Sequence, residues 1–169
     1  FATKLKMGPG KTGEGKNLWS AGIYDSSGRA LSQGLANGVG VATIYDARNG
    51  NVLSIAGSQN SGDPSYNGVP IQLKSYEWDA LGNLTDRRDA VNQRHEKFGY
   101  DALNRVITAS TFATGGATTA VPPPASFSYD TNGNLRTKSG ATLNYAHPTS
   151  PHAVTSATVK GAARNYVYD

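Results

Sequence analysis

Tyr24-Asp25-Ser26-Ser27-Gly28-Arg29, Tyr45-Asp46-Ala47-Arg48-Asn49-Gly50-Asn51, Trp78-Asp79-Ala80-Leu81-Gly82-Asn83, Tyr100-Asp101-Ala102-Leu103-Asn104-Arg105 and Tyr129-Asp130-Thr131-Asn132-Gly133-Asn134 are five copies of one phrase, and a sixth begins at Tyr168-Asp169. Each copy is an aromatic residue, an aspartate, and a short polar turn that ends in Gly or Asn followed by Asn or Arg. The aromatic positions lie 21, 33, 22, 29 and 39 residues apart, so the minimal unit is about 21 residues and the longer gaps hold inserts. A unit of that length is two strands and two turns.

Local chemistry gives each copy a conformation. An aspartate carboxylate accepts hydrogen bonds from backbone amides two residues on, and Gly28, Gly50, Gly82, Asn104 and Gly133 supply the positive φ that such a turn requires. The phrase therefore reads as a strand end plus a tight reversal. Between the first two copies, Arg29 to Leu35 reads as a strand, Ala36-Asn37-Gly38 as a turn, and Val39 to Tyr45 as the return strand with Val39, Val41, Thr43 and Tyr45 on one face. The same logic predicts strands near 71 to 78, 83 to 88, 94 to 100, 105 to 111, 125 to 129, 134 to 138, 141 to 145, 154 to 159 and 164 to 168. No window has helical periodicity. The predicted fold is all-β, an array of antiparallel hairpins.

Outside the repeats, residues 1–19 read as a Gly/Lys-rich leader from upstream sequence and 20–169 as the hairpin array, cut in mid-repeat at its end. Three stretches read as surface loops between hairpins: Gly8 to Lys16, Gly57 to Pro70 and Phe112 to Pro124. A fourth, Ala146 to Ala153, holds two prolines and two histidines.

Composition agrees with a thin-cored β protein. Leu, Ile, Val and Phe make up 30 of 169 residues, just under the roughly 20% at which disorder competes, but nine Tyr and two Trp restore buried area and favour strands. A net charge of +4 is too small to drive disorder and too dispersed to read as a specific nucleic-acid surface. No apolar run reaches the roughly 18 residues needed for a membrane span. With no cysteine, disulfides, thiolate metal sites and thiol nucleophiles are all excluded. The start at Phe1, without Met or a hydrophobic leader, gives the expectation of a piece of a longer protein.

The strings YEWDALGNL (76–84), FGYDALNRV (98–106), FSYDTNGNL (127–135) and PHAVTSA (151–157) closely resemble bacterial Rhs proteins built from YD repeats, relatives of the shells of Tc-type insecticidal toxins and of teneurins. The resemblance runs from about Ser20 to Asp169. It implies a spiralling sheet of hairpins that forms part of a hollow cocoon storing a C-terminal toxin domain, in a secreted or cell-surface bacterial protein. The chain departs from the family pattern in lacking the self-cleaving core segment and any toxin domain, so the expectation is wall and not warhead. Expected partners are the rest of the parent chain or other copies, through open sheet edges, and the enclosed toxin. The other reading is an extracellular carbohydrate-binding or adhesion repeat, in which the aromatics form a stacking ladder for a glycan.

Site chemistry points the same way. The motif aspartates recur at one turn position, whereas catalysis needs a unique convergence of groups with separated pKa values. Asp63, Asp86 and Asp89 read as solvated turn residues with no second carboxylate beside them. His147 and His152 sit five apart across two prolines, a poor metal site, and His95 reads as facing solvent or a polar lumen. Gly13-Glu14-Gly15-Lys16 lacks the spacing of a phosphate loop. The motif aromatics Tyr24, Tyr45, Trp78, Tyr100 and Tyr129 are expected to pack hairpin on hairpin. No catalytic residue, cofactor or metal is assigned, and the expectation is a non-enzymatic protein.

Overall fold

The computed structural model describes residues 4–6, 9, 15–59, 69–113 and 123–168. These residues form fourteen β-strands and no α-helix, and the strand order is the order of the chain. The chain divides into two compact units, 1–95 and 96–169.

The first unit holds β1 (Lys4–Lys6), β2 (Asn17–Ala21), β3 (Ser32–Leu35), β4 (Val39–Tyr45), β5 (Val52–Gln59), β6 (Val69–Trp78) and β7 (Leu84–Asp89), and it enters β8 (Arg94–Tyr100). From β1 to β7 each strand pairs antiparallel with the next. At β3–β4, β4–β5 and β6–β7 the meander follows from short connections (36–38, 46–51 and 79–83), because hairpins need only a few residues to reverse. The best-buried residues of this unit are Ser58 and Ala56 on β5 and Asp86 on β7, followed by Ser32 on β3 and Val39 on β4. β5 is made largely of small residues, Ser54, Ala56, Gly57 and Ser58, which carry little strand signal. Its neighbours on both sides hold it in the sheet.

The second unit completes β8 and holds β9 (Val106–Ala113), β10 (Ala125–Tyr129), β11 (Leu135–Lys138), β12 (Ala141–Asn144), β13 (Ser156–Val159) and β14 (Ala162–Asn165). β9 to β14 again pair antiparallel in order. β10, β11 and β12 alternate half-buried and exposed residues, the period of two that a single-layer sheet imposes. Among the described residues no side chain is fully buried, so the sheet is held by its ladders and turns more than by a deep core.

Several boundaries differ from the sequence expectation. The return strand expected at 164 to 168 is Ala162–Asn165, because Lys160 and Gly161 both take positive φ (50° and 81°) and reverse the chain in two residues. Residues 4–6 and 17–19 of the expected leader lie in strands β1 and β2, and β5 had not been anticipated. Asp63, Gly13, Glu14 and Asp169 lie outside the described residues.

Candidate functional site

The repeated feature is the aspartate turn. In the Asp101 copy the Asp101 N–H donates to the Arg105 carbonyl (3.0 Å) and the Asn104 N–H to the Asp101 carbonyl (3.0 Å). The carboxylate fills the loop: Oδ1 accepts from the N–H groups of Leu103 (2.9 Å) and Arg105 (3.0 Å), and Oδ2 from the Arg105 side chain (2.8 Å). Asp25, Asp79 and Asp130 bind the second and fourth amides after them in the same way. Their Oδ2 atoms take Arg29, Asn83 and Asn134 respectively. Gly28, Gly82, Asn104 and Gly133 carry the positive φ.

All five motif carboxyls lie below the ordinary carboxylate range. The leading cause at Asp101 is the Arg105 side chain, at Asp79 the Asn83 side chain and at Asp46 the Arg48 side chain. At Asp25 it is the Arg29 amide. At Asp130 burial pushes upward, and the amide and side chain of Asn134 outweigh it. Hydrogen bonds to the charged form do this.

The motif aromatics lie just before these turns, three of them at β-bulges. The register shifts between Ile44 and Tyr45, between Glu77 and Trp78, and between Ser128 and Tyr129. A bulge re-aims the next side chain. The result is a recurrent link back to the preceding turn. Trp78 Nε1 donates to the Val52 carbonyl (2.8 Å) and the Tyr129 hydroxyl to the Val106 carbonyl (2.9 Å). Val52 and Val106 are the first residues after the Asp46 and Asp101 turns. Tyr145 bonds the Leu135 carbonyl (3.0 Å) just after the Asp130 turn, and Tyr168 bonds the Val154 carbonyl (2.9 Å).

At Tyr129 the link is doubled by a cation on the ring, and at Tyr45 a cation makes the link. The Arg29 guanidinium lies 4.6 Å from the centre of the Tyr45 ring, and that of Arg105 lies 4.5 Å from Tyr129. Each arginine thus neutralises its own turn's aspartate and caps the next repeat's aromatic. Tyr24 pairs with Ala30 across the first turn. Tyr24, Tyr45, Trp78, Tyr100 and Tyr129 are half-buried, while Tyr168 is more exposed and has His147 edge-on at 6.0 Å. Sequence reasoning missed Tyr145, which does the work of a motif aromatic without the aspartate. The available signal was its Tyr at a strand end after Leu143.

Two readings of isolated residues are corrected. Asp86 is a mid-strand residue of β7, only 4% exposed, and Glu77 lies opposite it on β6. His95 Nε2 reaches Asp86 Oδ2 at 2.6 Å instead of facing solvent, and Arg88 bridges Asp86 (3.1 Å) and Glu77 (3.7 Å). Burial acts to raise the Asp86 pKa, but the hydrogen bonds from His95 and Arg88 outweigh it and leave it lowered. Asp89 ends β7 by holding the Asn92 amide and side chain. His152 Nδ1 meets Asn134 Oδ1 at 2.5 Å, tying the 146–153 loop to the Asp130 turn. Among the described residues, no three His, Cys, Asp or Glu side chains gather as metal ligands. No helix there is long and apolar enough to cross a membrane.

Comparison with known proteins places this geometry. Residues 78–119 match the family model of the RHS repeat. No curated protein sequence matches the chain. Among solved structures, the crystal structure of TcdB2-TccC3-Cdc42 superposes with a TM-score of 0.64 at 18% identity, covering 88% of this chain and 8% of that one. The crystal structure of TcdB2-TccC3 gives 0.60 at 19% identity, covering 92% and 8%. The shared feature is the fold, and the chain spans about one twelfth of the chains it matches.

Proposed function

We propose, from the premise that this chain is an Rhs, or YD-repeat, protein, that it is a structural segment of a shell wall enclosing a toxin or effector domain for delivery, in a secreted or cell-surface bacterial protein. The observation that carries this reading is the recurring link from an aromatic tip to the strand after the preceding turn, at Trp78–Val52, Tyr129–Val106 and Tyr145–Leu135. Such links fasten hairpin to hairpin along the sheet and suit a wall that must not breathe. A glycan ladder would need ring faces free, and those of Tyr45 and Tyr129 are covered by Arg29 and Arg105, which favours the wall over the carbohydrate-binding reading. The role is mechanical and needs no catalyst.

The test is protease protection in a parent polypeptide that carries this segment and its cargo. Cargo in the unaltered protein should resist cleavage, and Tyr129→Ala combined with Arg105→Ala should admit protease without altering cargo activity once released. Equal protection in both proteins would remove the wall role from these links.

A further inference from the structure

A polar cleft of about 400 Å³ lies between the Asp46 and Asp79 turns of the first unit, lined by Asp46, Arg48, Leu53, Trp78 and Asp79. Its origin is legible in the repeat. At the Asp25 turn the residue after the positive-φ glycine is Arg29, whose guanidinium binds Asp25 Oδ2 at 2.6 Å and covers the Tyr45 ring of the next repeat at 4.6 Å. Asp101, Arg105 and Tyr129 repeat the arrangement.

The Asp46 turn breaks it in two ways. It is one residue longer, closing from the Asp46 N–H to the Asn51 carbonyl (2.7 Å), and the position after Gly50 holds Asn51 where the Asp25 and Asp101 turns hold arginine and the Asp79 and Asp130 turns hold Asn83 and Asn134. Its own arginine, Arg48, folds back on Asp46 and is 89% exposed, outside the turn. The next aromatic is Trp78, the side chain with the strongest attraction for a cation on its face. Trp78 therefore lines an open cleft with the carboxylates of Asp46 and Asp79, where Tyr45 and Tyr129 carry guanidinium groups from their own chain.

We propose that this cleft is a docking site for an arginine side chain of a partner polypeptide, its guanidinium seated against Trp78 as Arg29 is on Tyr45. The inference rests on position and charge. Two carboxylates against one arginine leave the lining net negative, and the repeat itself supplies the template for the bound geometry. It does not depend on the shell reading, since the cleft exists in this chain whether or not the chain encloses cargo.

The experiment uses the full chain with Trp19→Phe, which makes Trp78 the sole tryptophan and its fluorescence a direct reporter. N-acetyl-arginine amide should give a saturable change in the millimolar range. The neutral isostere N-acetyl-citrulline amide should bind at least about tenfold more weakly, because it lacks the charge that the ring face attracts. Asn51→Arg should supply the missing guanidinium in cis and abolish the response while leaving the melting temperature equal or higher. No saturable response in the parent protein would overturn the proposal. So would equal responses to citrulline or to a neutral pyranose, which would mark a plain stacking surface, or retained binding in Asn51→Arg. Shell function could fail its protease test with this site intact, and the reverse.

Discussion

The Tyr129 hydroxyl donates a 2.9 Å hydrogen bond to the carbonyl of Val106, the residue at which the chain leaves the Asp101 turn twenty-three positions earlier. One repeat's aromatic is thus anchored on the exit strand of the repeat before it, and Arg105 covers its ring. Two contributions can be separated by mutation. Tyr129→Phe removes only the hydrogen bond and should cost about 1 kcal/mol. Tyr129→Ala also removes the half-buried ring and its cation contact and should cost about 3 kcal/mol, the low end for a lost aromatic. Chemical denaturation of both variants checks the ordering. A Tyr129→Ala protein as stable as Tyr129→Phe would mean that the ring itself packs nothing.

Glycine substitutions should separate backbone strain from crowding. At Gly133 φ is +84° and an added Cβ meets no atom within 4 Å, so Gly133→Ala should cost only the left-handed penalty, about 1 kcal/mol. At Gly50 φ is +78° and the added Cβ would come within 2.5 Å of Arg29 Nη1. That guanidinium would have to shift from its place on the Tyr45 ring. Gly50→Ala should therefore destabilise more than Gly133→Ala, and the excess should vanish in an Arg29→Ala background. A double-mutant cycle measures it, and an excess that survives without Arg29 would refute the crowding account.

The sequence makes the turns and the strand period readable because both are local: an aspartate and a glycine three residues on determine a loop, and alternation determines a face. What it conceals is non-local. The small residues of β5 carry no strand signal, and the strand forms because β4 and β6 pair with it on both sides. The bulges before Tyr45, Trp78 and Tyr129 have no marker in the chain, yet they decide where each ring goes. Ser139-Gly140 and Lys160-Gly161 are two-residue reversals that lack the usual Asn-Gly spelling, and the second moved β14. Asp86 and His95 are nine residues apart in a charged stretch that looks solvated in sequence, and only the β7 register buries the aspartate against Arg88 and His95.

Acid should weaken the fold through the same turns. The folded pKa values of Asp25, Asp46, Asp79, Asp86, Asp89, Asp101 and Asp130 all lie below the ordinary 3.8. A depressed carboxyl binds fewer protons folded than unfolded, so its stabilisation is complete above about pH 4 to 5 and is lost as pH falls through the folded value. The melting temperature should be nearly flat from pH 7 to 5 and fall steeply below 4. Asp101→Asn should lower it at pH 7 and shrink the drop between pH 7 and 3. A melting temperature that holds constant to pH 2 would show that these carboxylates contribute nothing to folding.

The sheet edges lead to the last prediction. β14 pairs with β13, and among the described residues no strand lies on its other side. All four of its residues are exposed, and so are Tyr166, Val167 and Tyr168 beyond it. An unpaired strand offers a row of donors and acceptors to any other chain, so the isolated protein should associate as its concentration rises. Which groups point outward follows from the ladder. The Tyr166 N–H bonds the Thr155 carbonyl, so alternation turns the N–H of Asn165 and Ala163 away from β13. Ala163→Pro removes one outward donor without taking a bond from the β13 ladder, and proline is tolerated at such edge positions. Sedimentation velocity should show concentration-dependent association for the parent chain and a clear shift toward monomer for Ala163→Pro. A parent chain that sediments as one sharp monomer at high concentration and melts cooperatively would mean that the segment closes its own edges. Association that Ala163→Pro leaves unchanged would move the contact to β1.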